Sequence, residues 1–185
     1  MRDKILSVFI AGLVICGFCG CSLLSPSVRE SSYYDLNYNG SEKLDLPYNV
    51  SFRTIQNISP VKLNFVYSKN DGTMIIDQYN YWTQSPETML RRYLLNAVNF
   101  KNSENAPQIA IVATIFEFEF DISNRRCVLG VRCVFESSDK DGKIDKVYIV
   151  ETPVNSLDRV ELVKGMNKCA EQFTRQVVND IKKIK

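Results

Sequence analysis

The sequence predicts an α+β domain: a mostly antiparallel sheet with two amphipathic helices packed on one face. Three observations carry this. Several segments alternate apolar and polar residues with the period of two that a half-buried strand requires. Tight Gly-containing turns join some of these segments, and such turns connect antiparallel neighbours. Two other segments repeat apolar residues at helical spacing.

The elements follow in order. Residues 32–38 have strand composition, and residues 40–47 read as a polar turn. Residues 48–55 set Val50 and Phe52 on one face against Ser51 and Arg53 on the other. Residues 61–67 and 73–79 flank Lys69-Asn70-Asp71-Gly72, a hairpin turn. Ser85-Pro86-Glu87 then opens a helix. Ser85 suits the cap, Pro86 the first helical position, and Glu87 the positive end of the dipole. Leu90, Tyr93, Leu94, Ala97 and Val98 form its apolar face, with Arg91, Arg92 and Asn96 opposite. After a loop at 101–107, three more strands are expected at 109–121, 127–136 and 144–151, the last two joined through Asp139-Lys140-Asp141-Gly142. A second helix starts near Ser156. Its stripe is Val163, Met166, Ala170, Phe173, Val177, Ile181 and Ile184, and its C-terminal end is cationic at Lys182, Lys183 and Lys185.

Composition narrows the chemistry. The chain has 185 residues, with 23 Lys and Arg, 21 Asp and Glu, six Cys and no His. A net charge of +2 gives no electrostatic reason to bind nucleic acid. Without His there is no Ser-His or Cys-His nucleophile, no His-ligated zinc and no imidazole shuttle. Carboxylate, Lys or Cys chemistry remains.

The N-terminus reads as an address. Arg2 and Lys4 precede an apolar run at residues 5–15. This is too short for the roughly 20 residues of a membrane-spanning helix and suits a signal peptide. Phe18-Cys19-Gly20-Cys21 then resembles a bacterial lipobox. That resemblance implies a signal peptide at 1–20, cleavage before Cys21, and lipid on its sulfur and new amino group. Several acyl chains give stable anchoring where one is marginal. Ser22 in the following position favours the outer membrane by the same resemblance. A Ser-rich tether at 21–31 would lead into a single periplasmic domain at 32–185.

The candidate chemistry in the domain is sparse. Asp139-Lys140-Asp141-Gly142 resembles the start of a calcium loop, but Ser137 and Tyr148 stand where the first and last ligands belong. A hairpin turn accounts for it better. Cys127, Cys133 and Cys169 contain no Cys-x-x-Cys pair. Cys127 and Cys133 share one strand about 20 Å apart and cannot pair with each other. Free buried thiols are the default, and a disulfide from Cys169 to either of them stays open. Glu117 and Glu119 share a strand face and oppose the Phe116, Phe118 and Phe120 row, which places them on a solvated side. The Phe row reads as core in preference to a lipid groove. Trp82 suits either the core edge or an interface.

Four features occur together: the lipobox Cys21; Tyr33-Tyr34-Asp35-Leu36; Tyr79-Asn80-Tyr81-Trp82; and Ser85-Pro86-Glu87-Thr88-Met89-Leu90-Arg91-Arg92-Tyr93-Leu94. Together they resemble the ABC-type transport auxiliary lipoproteins, the small subunits that accompany paraquat-inducible and other MCE-type lipid transport systems. The resemblance implies a non-enzymatic, outer-membrane-anchored accessory subunit facing the periplasm. It also implies a domain related to the N-terminal domain of the Tol-system translocation protein. Implied partners are the membrane, through lipid (palmitate among the acyl groups) at Cys21, an MCE-domain protein and ABC transporter subunits. It implies no cofactor, metal or catalytic residue, and leaves homo-oligomerisation open. The alternative is a lipoprotein assisting lipopolysaccharide assembly or regulating a cell-wall synthase.

Overall fold

A computed structural model of the chain describes residues 29–40, 43–100, 106–138 and 143–184. The chain divides into two compact units, Met1–Glu30 and Ser31–Lys185, and the fold below is that of the second. The expected signal peptide, Cys21 and residues 22–28 of the tether lie outside the described residues, as does the turn at 139–142.

The architecture is α+β, with a mostly antiparallel seven-stranded sheet and two helices on one face. The strands are β1 (Ser32–Tyr34), β3 (Asn49–Asn57), β4 (Asn64–Ser68), β5 (Met74–Trp82), β7 (Gln108–Asp121), β8 (Arg126–Ser137) and β9 (Lys143–Pro153). Two short strands, β2 (Leu44–Asp45) and β6 (Val98–Asn99), form a separate parallel pair. The helices are α1 (Pro86–Ala97) and α2 (Arg159–Ile181).

β4 and β5 form the expected hairpin. Gly72 takes a positive φ of 80°, its amide donates to the Lys69 carbonyl, and Asp71 accepts from the Thr73 amide. β7, β8 and β9 form an antiparallel meander. The remaining pairings are parallel: β1 on β5, β3 on the first half of β7, and β4 on its end. One edge of β7 therefore serves two strands in succession. The expected strand at 32–38 is only three residues long, because the chain leaves β5 after Tyr34.

Each helix begins near its expected position. Ser85 stands at the cap of α1, but its hydroxyl meets Thr88 Oγ1 and not a backbone amide. Its carbonyl accepts from the Thr88 and Met89 amides instead. Asp158, two residues beyond the expected Ser156, caps α2 by accepting from the Val160 amide at 2.9 Å. Cys127, Leu129, Val131, Cys133 and Phe135 of β8 are all buried, and α2 packs over them with Leu162, Met166, Cys169, Phe173 and Val177.

A bulge corrects the expected Phe row. Ile115 pairs with Val131 and Glu117 with Gly130, so Phe116 is the extra residue. One inserted residue reverses the alternation beyond it. Phe118 and Phe120 turn into the core, whereas Phe116 joins Glu117 over Gly130 on the sheet's other face. A second bulge at Arg53 brings Ile55 into the core phase.

Trp82 is core. It is 1% exposed, with ring centroids 4.7 Å from Phe65 and 5.2 Å from Phe118. Phe65 lies 5.0 Å from Phe120 and 5.1 Å from Tyr34, so β1, β4, β5 and β7 share one aromatic cluster. Full burial of each such side chain stabilises by about 1.5–3 kcal/mol.

Gly165 lets α2 lie close against Cys127 and Val154. A methyl group there would lie 2.5 Å from Cys127 Sγ and 2.8 Å from Val154 Cγ1. Gly165→Leu is therefore expected to lower unfolding stability by about 1–3 kcal/mol, read from urea denaturation. An unchanged midpoint would contradict this packing.

Candidate functional site

The sheet separates the two groups of candidate chemical residues. Glu117 and Glu119 lie on the face away from the helices, and the three thiols lie on the helix face. Burial raises the Glu117 carboxyl pKa, the Glu119 and Glu151 charges add to this, and Arg126 opposes it. Glu117 is thus half-buried, not the fully solvated residue that alternation implied. Arg126 is engaged elsewhere, bonding Asp121 at 2.9 Å and Glu151 at 2.6 Å.

Cys127, Cys133 and Cys169 are free and buried. Cys127 Sγ donates to the Leu162 carbonyl at 3.2 Å, and Cys169 Sγ contacts Thr152 Oγ1 at 3.2 Å. Burial pushes Cys133 up to about 12 and Cys169 up to about 11, and raises Cys127 further. A nucleophilic thiol needs the opposite environment, because the thiolate is the reactive form. The described residues contain no group of three or more His, Cys, Asp or Glu side chains able to hold a metal.

Two concavities escaped sequence reading. The larger, about 450 Å³, lies between residues 37–40, Tyr93 of α1 and the stretch of α2 from Asn167 to Arg175. Tyr93 and Arg175 contribute to its lining. Several of its polar groups are paired with one another. Asn167 Oδ1 accepts from the Asn37 amide at 2.8 Å, and Glu171 accepts from Arg175 Nη2 at 3.0 Å. The smaller, about 160 Å³, lies beside the end of α2 at Phe135, Ile144 and Asp180. Asp180 Oδ2 receives Lys146 Nζ and the Tyr148 hydroxyl, each at 2.9 Å. Neither concavity could be read from the sequence, since each joins residues far apart in the chain.

The motif residues converge instead. Tyr33 pairs with Tyr81 in the parallel ladder and stacks on it at 5.5 Å. The Thr83 amide donates to the Tyr34 carbonyl at 2.8 Å. Arg92 of α1 reaches back to form an ion pair with Asp35, and Leu36 beside it is 1% exposed. The Tyr-Tyr strand, the segment ending at Trp82 and the Pro-led helix thus form one packed unit.

This α+β domain has structural counterparts. It resembles the crystal structure of a protein described as uncharacterized, with TM-score 0.63 and 18% identity, over 82% of this chain and 99% of that one. It also resembles the crystal structure of a Xanthomonas campestris protein of the DUF330 family, with TM-score 0.59 and 13% identity, over 80% of this chain and 92% of that one. At these identities the likeness shows the shared fold. No family model matches the sequence, and no curated protein matches it.

Two outcomes follow from the site's electrostatics. Burial alone would raise Asp180, but the Lys146 and Tyr148 hydrogen bonds outweigh it and hold the carboxyl below the ordinary value. A depressed folded pKa contributes stability above the unfolded value, near about 3.9, and loses it as pH falls through the folded value. The stability gap between the parent and Asp180→Asn should therefore be full at neutral pH and close as pH falls below about 4. Denaturation curves across that range measure it, and a gap that widens on acidification would contradict the assignment. The three buried thiols should resist a thiol reagent in the native protein and react on unfolding. Rapid native labelling of Cys133 would contradict their inert role.

Proposed function

We propose that this protein is a lipid-anchored accessory subunit of an ABC/MCE-type lipid transport system in a bacterial envelope. The observation that carries the reading is the convergence of three motifs separated in sequence. Tyr33-Tyr34-Asp35-Leu36, Tyr79-Asn80-Tyr81-Trp82 and Ser85-Pro86-Glu87 assemble through the Tyr33–Tyr81 stack and the Arg92–Asp35 ion pair. These are the motifs that resemble the transport auxiliary lipoproteins. The domain's likeness to a DUF330 protein is a likeness of fold and specifies no role.

On this reading Cys21 carries the lipid, and Ser22 directs the protein to the outer membrane, where the domain faces the periplasm. No helix among the described residues is long and apolar enough to cross a membrane. Attachment through acyl chains needs no such helix. The domain would act by binding, offering a folded surface to an MCE-domain protein or to transporter subunits. Its buried thiols and paired charges suit a scaffold better than a catalyst.

Cys21→Ala should move the protein to the soluble periplasmic fraction or leave its precursor uncleaved, as read by fractionation and mass spectrometry. Crosslinking in intact cells should recover an MCE-domain protein with the parent chain. A processed, membrane-bound Cys21→Ala protein would contradict the anchor. Recovery of a lipopolysaccharide-assembly barrel or a cell-wall synthase in its place would contradict the transport assignment.

A further inference from the structure

The larger concavity holds a buried donor with no acceptor in the protein. Tyr93 of α1 lines it and is only 4% exposed. Among the described residues its hydroxyl has no hydrogen-bond partner. The groups whose charges act on that hydroxyl are Glu171, Tyr38 and Arg175, and all three line the same space, so the hydroxyl is turned toward it. Burial, and after it the Glu171 charge, push the phenol up to about 12. Tyr93 therefore keeps its proton at neutral pH and remains a donor. Buried polar groups in native folds are satisfied, and an unsatisfied one is costly. The concavity has room for more than water. Its volume of about 450 Å³ falls in the range of small-molecule sites, roughly 300–1,000 Å³.

The surrounding residues state the ligand's chemistry. Asn167, Lys168, Glu171 and Arg175 recur at helical spacing on one side of α2. Arg175 Nε and Nη2 both bond Glu171 Oε1, at 3.2 and 3.0 Å. Arg175 Nη1, Glu171 Oε2 and Lys168 Nζ are left without partners among the described residues. Two cations against one carboxylate give the lining a net charge of +1, which a monoanion balances. The Asn39 side chain is likewise unpartnered among the described residues. An amide offers both donors and an acceptor, and the free Glu171 oxygen accepts, so this part of the lining suits hydroxyl groups. One wall is apolar: the Tyr38 ring, edge-on to Tyr93 with centroids 5.6 Å apart. Its place is fixed from the other side by Gly40, where a β-carbon would collide with the ring.

We propose that this concavity is a binding site for a small polyol carrying a single oxyanion charge, either a sugar carboxylate or a polyol phosphodiester. Tyr93, Lys168 and Arg175 donate to the oxyanion, while Asn39 and Glu171 take the hydroxyls. The site lies wholly within the folded domain and does not depend on the lipoprotein reading. It gives the domain a small-molecule ligand of its own, beyond a surface for protein partners.

Calorimetric titration of the full chain, purified in neutral detergent, tests this. The probes are glucuronate, glycerophosphoglycerol and, as the uncharged control, glucose. Saturable binding of one of the anions, with a Kd of about 1 mM or tighter, is expected, and the anion that binds identifies the oxyanion. Tyr93→Phe keeps the ring and removes the hydroxyl. It should weaken binding by about tenfold, with an unchanged or higher urea midpoint. Lys168→Gln, an exposed change, should weaken it by about threefold. Lys164→Gln should not, since Lys164 pairs with Glu161 and does not line the concavity. Absence of saturable binding of either anion overturns the proposal, as does equal affinity for glucose. An equal loss with Lys164→Gln overturns it in favour of general charge attraction. Unchanged affinity or a lowered urea midpoint in Tyr93→Phe overturns it too, because the hydroxyl would then serve the fold and not a ligand.

Discussion

Everything on the N-terminal side of this domain depends on the aromatic cluster around Trp82. β1 and β5 meet along only three residue pairs, and so few ladder bonds could not hold the start of the domain by themselves. The cluster does this. Phe65 stands between Tyr34 and Trp82, and Trp82 reaches Phe118 and Phe120 of β7. Burial of these rings ties the first strand to the longest strand of the sheet. Arg92 then clamps the outgoing chain by pairing with Asp35, next to buried Leu36. Any force applied at the start of β1 would enter the fold at this cluster.

β7 distributes that support. Its 14 residues carry β3 and then β4 on one edge and β8 along the other. The bulge at Phe116 lets one strand serve two environments. Before it, Ile109, Ile111, Ala113 and Ile115 face the helices, and after it Phe118 and Phe120 do so with the opposite parity. Gly130 across the ladder leaves room for the displaced Phe116 ring, which a β-carbon there would meet at 2.6 Å. The same shift places Glu117 beside Phe116 on the open face, which accounts for its partial burial.

The elements legible in the sequence are those whose cause is local. Ser85-Pro86-Glu87 marks the start of α1, Lys69 to Gly72 marks the hairpin, and the spacing from Met166 to Ile181 marks α2. Alternation along 127–135 correctly identified the buried face of β8. Partnership between strands was not legible. Alternation says which face of a strand is buried but not which strand lies beside it, so the parallel placement of β1, β3 and β4 was invisible. Bulges are equally silent, because one extra residue looks like any other until its partner strand is known. Part of the Phe116, Phe118 and Phe120 reading failed for that reason. The exposed β5 edge was hidden likewise, since Met74, Ile75 and Ile76 read as an ordinary strand until β1 proved too short to cover them. Cys21 was legible as a motif, and it lies outside the described residues.

β1, the β4–β5 hairpin and β7 thus share one core through Trp82, the sole tryptophan of the chain. Its fluorescence tests this most directly. The native protein should emit at the short wavelength of a buried indole and resist acrylamide quenching. Its unfolding transition in urea should coincide with that followed by far-UV circular dichroism. Red-shifted, freely quenched emission, or a Trp82 transition that precedes loss of the sheet, would contradict the account.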